Sequence, residues 1–157
     1  MVRVYSIAFV AILGLTAGCP TQPGNGNDNG NSDGTTSFVA TLDGVQEAPP
    51  TPTEGTGQGT FTLNAEQTEL SYDITASGLT GLVTAAHFHR APRGTAGDIV
   101  FPITDRVTEN EGQVTIMGVW PELTAANVAD LLAGNLYVNL HTQQNPAGEI
   151  RGQVEQE

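Results

Sequence analysis

Apolar residues in this chain recur at every second position over short runs, and the runs are separated by clusters of Gly, Pro, Asn and Asp. Phe38-Val39-Ala40-Thr41-Leu42 is the first run, closed by Asp43-Gly44. Thr56–Leu63 and Glu69–Ala76 read as a hairpin around Asn64–Thr68. In its second arm Leu70, Tyr72 and Ile74 fall on one face, and Ser71, Asp73 and Thr75 on the other. Val83–His89, Ile99–Ile103, Gln113–Val119, Tyr137–Thr142 and Glu149–Val154 continue the series. One segment departs from it. Thr124–Ala133 carries Val128, Leu131 and Leu132 at helical spacing, with Thr124 to cap its start and Gly134 to end it. Ala48-Pro49-Pro50-Thr51-Pro52 lacks the N–H groups of a ladder and is expected at an edge or in a loop. The pattern predicts an all-β domain, an antiparallel β-sandwich or Greek-key-like barrel of about 7–8 strands with one short helix. The roughly 120 residues from Ser37 onward suffice for a core without disulfides.

The N-terminus follows another pattern. Arg3 precedes an apolar run, Ile7–Leu15, and then comes Leu15-Thr16-Ala17-Gly18-Cys19. A charged start, a short apolar core and small residues make a secretory signal. The run is shorter than the about 20 apolar residues of a membrane-spanning helix. The residues before Cys19 resemble a bacterial lipoprotein lipobox, although Thr16 stands where Leu is commoner. That resemblance implies cleavage before Cys19, lipidation of Cys19 and a location in the bacterial cell envelope. Pro20 stands where an inner-membrane retention aspartate is found, which implies the outer membrane if the organism has one. Pro20–Thr36 is rich in Gly, Asn and Asp and reads as a flexible tether with a reach of roughly 20–25 Å. The chain is therefore expected to divide into a signal (1–18), a lipidated cysteine and tether (19–36) and one domain (37–157).

Composition narrows the function classes. The chain has 17 acidic and 5 basic residues and no lysine; the basic residues are Arg3, Arg90, Arg93, Arg106 and Arg151. Loss of residues 1–18 removes Arg3, leaving 4 basic against 17 acidic residues and a formal charge of −13. Nucleic acid is not an expected partner, because phosphate binding needs clustered Lys and Arg. Cys19 is the sole cysteine, so an internal disulfide and a Cys-x-x-Cys site are excluded. Asn29–Gly34 is superficially similar to the start of a calcium loop, but the twelfth place is Ala40 rather than Glu. Gly55-Thr-Gly57-Gln-Gly59 opens a strand, not the helix a phosphate loop requires. The only G-x-S-x-G string, Gly30-Asn31-Ser32-Asp33-Gly34, lies in the tether and not at the strand-to-helix turn that a nucleophile elbow requires, and an enzyme is not the expectation.

The candidate chemistry lies in Ala85–Asp98 and Leu136–Gln153, which hold all three histidines and three of the five arginines. Strand alternation puts Leu136, Val138 and Leu140 on one face and Tyr137, Asn139 and His141 on the other. His87 and His89 share a face, as do Glu149 and Arg151. If these strands are neighbours, one sheet face carries them all, with Arg90 and Arg93 entering the adjoining loop. Three readings are open. A hydrogen-bonded network can pin loop to strand, with Glu149 paired to Arg151 or Arg90. His87, His89 and His141 can hold copper or zinc, with Tyr137, Asn139 or Glu149 supporting the site. The arginines can line a pocket for an anion or another ligand.

Ala86-His87-Phe88-His89, Leu136–Thr142 and Asn145-Pro146-Ala147-Gly148-Glu149-Ile150-Arg151-Gly152-Gln153 together resemble the CHRD (chordin) domain family, and Leu42–Pro50 resembles its start. The family includes extracellular growth-factor binders and many secreted bacterial proteins. Membership implies location and fold more than activity, and the growth-factor role does not carry over to a single-domain lipoprotein. Copper–zinc superoxide dismutase is also a β-barrel with a His-x-His strand, but three histidines and one cysteine cannot supply its bimetallic site and disulfide. The expectation is a non-enzymatic, lipid-anchored envelope domain, joined to the membrane through its anchor, with a binding or structural role. The alternative is a mononuclear copper or zinc protein using His87, His89 and His141, redox-active or not.

Overall fold

The computed structural model describes residues 34–157; the expected signal, Cys19 and most of the tether lie outside the described residues. Ten strands and one helix follow in the order β1 (Thr36–Asp43), β2 (Thr56–Leu63), β3 (Leu70–Ser77), β4 (Val83–Arg90), β5 (Asp98–Pro102), β6 (Val107–Asn110), β7 (Gln113–Trp120), α1 (Ala125–Leu132), β8 (Leu136–Thr142), β9 (Ile150–Gln153) and β10 (Glu155–Gln156). All pairings are antiparallel. The sheet runs β5-β4-β8-β9-β1-β2-β3-β7-β6, and β10 pairs with β1 beyond the end of β9.

The strands join in one continuous sheet that closes on its own apolar face. Along β1, β2 and β3 buried and exposed residues alternate, as period-two strands with one face in a core require. Phe88 of β4 meets Phe61 of β2 at a ring-centroid distance of 5.8 Å, Tyr72 of β3 at 5.6 Å and Trp120 of β7 at 5.3 Å. None of these strands is a hydrogen-bonded neighbour of β4, so the sheet curls until its two halves touch through these rings. The all-β antiparallel architecture matches the expectation; its form is a single curled half-barrel.

Two strands lie beyond the expected set. β6 is largely exposed and polar, and no apolar alternation marks it. It is joined to β7 by Glu111 and Gly112, both with positive φ (50° and 79°), the geometry of a tight hairpin turn. β10 is two exposed residues long. The helix begins where expected: Thr124 accepts from the backbone N–H of Asn127, whose side chain accepts from the N–H of Thr124. Gly134 ends it at φ +68°. Val128 and Leu131 are buried, but Leu132 is 46% exposed, so the apolar stripe is narrower than its spacing suggests.

β8 and β9 set up the site. Leu136, Val138 and Leu140 are fully buried in the core, on the face alternation assigns them. The opposite face is covered too. Every residue of β8 except His141 is buried, as are all four of β9. Loops over residues 91–97 and 44–51 lie across that side, and the contacts they make are polar.

Candidate functional site

The polar layer follows from strand register. β4 and β8 pair so that His87 lies opposite Asn139 and His89 opposite Tyr137, while Ala85 lies opposite His141. Directly opposite side chains on one face stand about 5 Å apart at Cβ. The register therefore gathers His87, His89, Tyr137, Asn139 and His141 on one patch. β9 adds Arg151, opposite Asn139.

The three histidines each offer a ring nitrogen within 4.8 Å of the other two. Two rings have fixed tautomers. His89 Nδ1 lies 2.8 Å from the carbonyl of Gly97, and His141 Nδ1 lies 3.1 Å from that of Pro146. A carbonyl only accepts, so both Nδ1 atoms carry the proton and both Nε2 atoms carry lone pairs. His141 Nε2 meets His87 Nδ1 at 3.3 Å, and His89 Nε2 is buried with no partner. Burial lowers the pKa of all three rings; the charges of His141 and His89 add to the effect at His87, while at His89 and His141 the backbone carbonyls oppose it. All three are thus neutral near pH 7.

Behind His89 stands a stack. Its ring lies parallel to Tyr137 at 4.9 Å, and the Arg151 guanidinium covers the other face of Tyr137, 3.5 Å from the ring centre. Arg151 is 1% exposed. It donates to the carbonyls of Thr95 (2.8 Å) and Pro92 (3.1 Å) and to Gln153 Oε1 (3.0 Å). Burial lowers its pKa, against the pull of Tyr137 and Glu47. Tyr137 Oη accepts from the N–H of Gly97, so one loop residue ties the tyrosine and His89 together.

The other residues singled out by pattern go elsewhere. Glu149 turns to the opposite side, where its carboxylate accepts from Thr53, Thr142 and both the hydroxyl and N–H of Thr80. Burial works against its charge, but these donors outweigh it and hold the carboxyl below its ordinary pKa. It pairs with neither Arg151 nor Arg90. Gly148, at φ +134°, breaks the alternation just before it. Arg90 forms an ion pair with Asp130 of α1. Arg93 sits at the exposed rim, bonded to Gln46 and Glu155.

Glu47 is a functional candidate that strand periodicity does not reach. It is 8% exposed, and its carboxylate rests on the α-carbon of Gly148, where a Cβ would come within 2.5 Å of Oε1. Burial pushes its pKa up to about 7, against Arg151 and donors from Asn139 and Ala48. Its one sequence signal is a lone acid inside an otherwise uncharged turn, Val45–Pro50.

The fold and this patch define an antiparallel β domain with a covered polar layer built around three histidines. The chain belongs to the CHRD domain family, which matches residues 38–154. It is similar to Chordin of Xenopus laevis, with 31% identity over 114 residues that cover 72% of this chain and 12% of that protein. The chain thus spans only a small part of that relative's length. No solved structure gives a significant match.

Proposed function

We propose that this protein is a non-enzymatic, lipid-anchored CHRD module of the cell envelope whose binding role is to hold one Cu(II) or Zn(II) ion at His87, His89 and His141. The observation that carries the reading is the arrangement of lone pairs: three ring nitrogens within 4.8 Å, with two Nδ1–H groups already committed to backbone carbonyls. Metal-bound histidines use their second nitrogen in this way, which fixes tautomer and ring orientation before the ion arrives. Three imidazoles and an open position suit either ion. Anchoring rests on Cys19 at the end of the signal, as the sequence implies.

A second reading is favoured by the Arg151–Tyr137–His89 stack and its bonds to the 91–97 loop. There the patch only pins the loop to the sheet, and binding belongs to another surface. Calorimetry on tag-free protein separates the two. The metal reading expects one ion per chain, and at least about tenfold weaker binding in each of His87→Ala, His89→Ala and His141→Ala, roughly 1.4 kcal/mol. Protons compete for the rings, so uptake should fade below about pH 6. No uptake at micromolar metal, or uptake unchanged in the triple variant, would leave the pinning role alone.

A further inference from the structure

Asn139 sits at the centre of the histidine patch. It lies directly opposite His87 on the β4–β8 ladder and shares its strand face with His141 two residues on. It is 3% exposed, yet its Oδ1 has no hydrogen-bond partner. His89 Nε2 is buried without a partner as well, and its own proton is committed on Nδ1 to Gly97. Two buried lone pairs on one patch, one on oxygen and one on nitrogen, are thus left without a donor.

Turning the amide over resolves this only while Glu47 is protonated. Nδ2–H would then turn towards His89 and Oδ1 towards Glu47, where the ionised carboxylate present above about pH 7 repels it. Glu47 itself cannot back away, since Gly148 lies under it. With Glu47 ionised, the amide is thus held with its nitrogen towards Glu47 and its oxygen towards the histidines. A cation in that space satisfies both orphaned acceptors at once, and an amide oxygen is an accepted weak donor beside imidazoles at copper.

Building on the three-histidine reading, we infer that Asn139 supplies a fourth donor to the metal through Oδ1, with Glu47 fixing the orientation of its amide. The site is then three nitrogens and one oxygen, drawn from β4 and β8 alone.

The test is the zinc affinity of the full chain, made without a histidine tag, measured by calorimetry for wild type, Asn139→Ala and Asn139→Asp. Melting in chelator checks that each variant folds. Asn139→Ala should still bind one zinc, about tenfold more weakly. Asn139→Asp should bind at least as tightly as wild type, because a carboxylate oxygen is the better donor. A merely structural Asn139 predicts the reverse order, since Asp would set two carboxylates against each other with no metal bond in return. Wild-type affinity in Asn139→Ala, or Asn139→Asp weaker than Asn139→Ala, would overturn the fourth donor while leaving the three histidines in place. If Asn139→Ala does not fold, Asp against wild type decides: weaker binding in Asp overturns the inference. If the wild type takes up no zinc, the same series is run with Cu(II), and uptake of neither ion overturns both readings.

Discussion

Glu47→Gln should remove a pH dependence of stability that the wild-type domain carries on the alkaline side. Glu47 has a folded pKa of about 7 against an ordinary value of 4.5, because its carboxyl is buried between the 44–51 loop and Gly148. A raised folded pKa means that the folded state binds more protons than the unfolded chain between those two values. Stability from this group is therefore complete below about pH 4.5 and is lost as pH rises through about 7. The full shift corresponds to about 3 kcal/mol at 1.36 kcal/mol per unit. A groove of about 530 Å³, lined by residues 45–50 with Arg93 and Gly94, borders Glu47 and brings solvent close to this loop, which trims the effect. About 2 kcal/mol is the expected loss between pH 5 and 8. Gln keeps the shape and never ionises. Urea unfolding of both proteins in chelator, at half-unit steps from pH 5 to 8, gives the difference directly. The histidines titrate in both proteins and cancel in it. The variant should gain on wild type steadily, by about 2 kcal/mol over the range. A flat difference, or one of opposite slope, would mean that Glu47 is ionised and solvated in the folded state, and the account of its burial would be withdrawn.

Leu140 is fully buried beneath the histidine patch, so Leu140→Ala should destabilise the domain by about 2–5 kcal/mol in the same assay. A loss within about 0.5 kcal/mol would put Leu140 at the surface and reverse the two faces of β8. Cys19→Ala should leave the protein unlipidated and absent from the membrane fraction. Equal partitioning of variant and wild type into detergent would end the lipoprotein reading.

The histidine patch was legible in the sequence because a strand has a period of two. Once Val83–His89 and Tyr137–Thr142 read as strands, His87 and His89 had to share a face, and so did Tyr137, Asn139 and His141. Register then brought the two groups together, which alternation alone leaves open. The same logic failed at Glu149, where Gly148 adopts φ +134° and turns the carboxylate to the threonines of the other side. Alternation puts Arg90 at the start of a loop, but it is the last residue of β4 and its partner Asp130 is on the helix, and helix placement is a tertiary fact. Glu47 was hidden for a related reason. A loop residue has no periodic face, and its burial depends on how residues 44–51 lie across the sheet. β6 and β10 escaped because short polar strands at an edge carry no apolar signal.

β1 takes β2 on one side and the last strands, β9 and β10, on the other, and the final N–H, of Glu157, donates to the carbonyl of Ser37 at 3.2 Å. The chain therefore enters and leaves the domain at one spot. Such a unit can be spliced into a host protein, or placed in tandem, without pulling its ends apart, because the incoming and outgoing segments need no span of their own. It can also be cut open and rejoined. A permuted gene that links Glu157 to Thr36 by a few glycines and begins instead at the exposed turn around Glu111 keeps nearly every strand pairing, parting only β6 from β7 at their hairpin. That portability suits a domain whose aligned stretch is 72% of this chain and 12% of Chordin of Xenopus laevis.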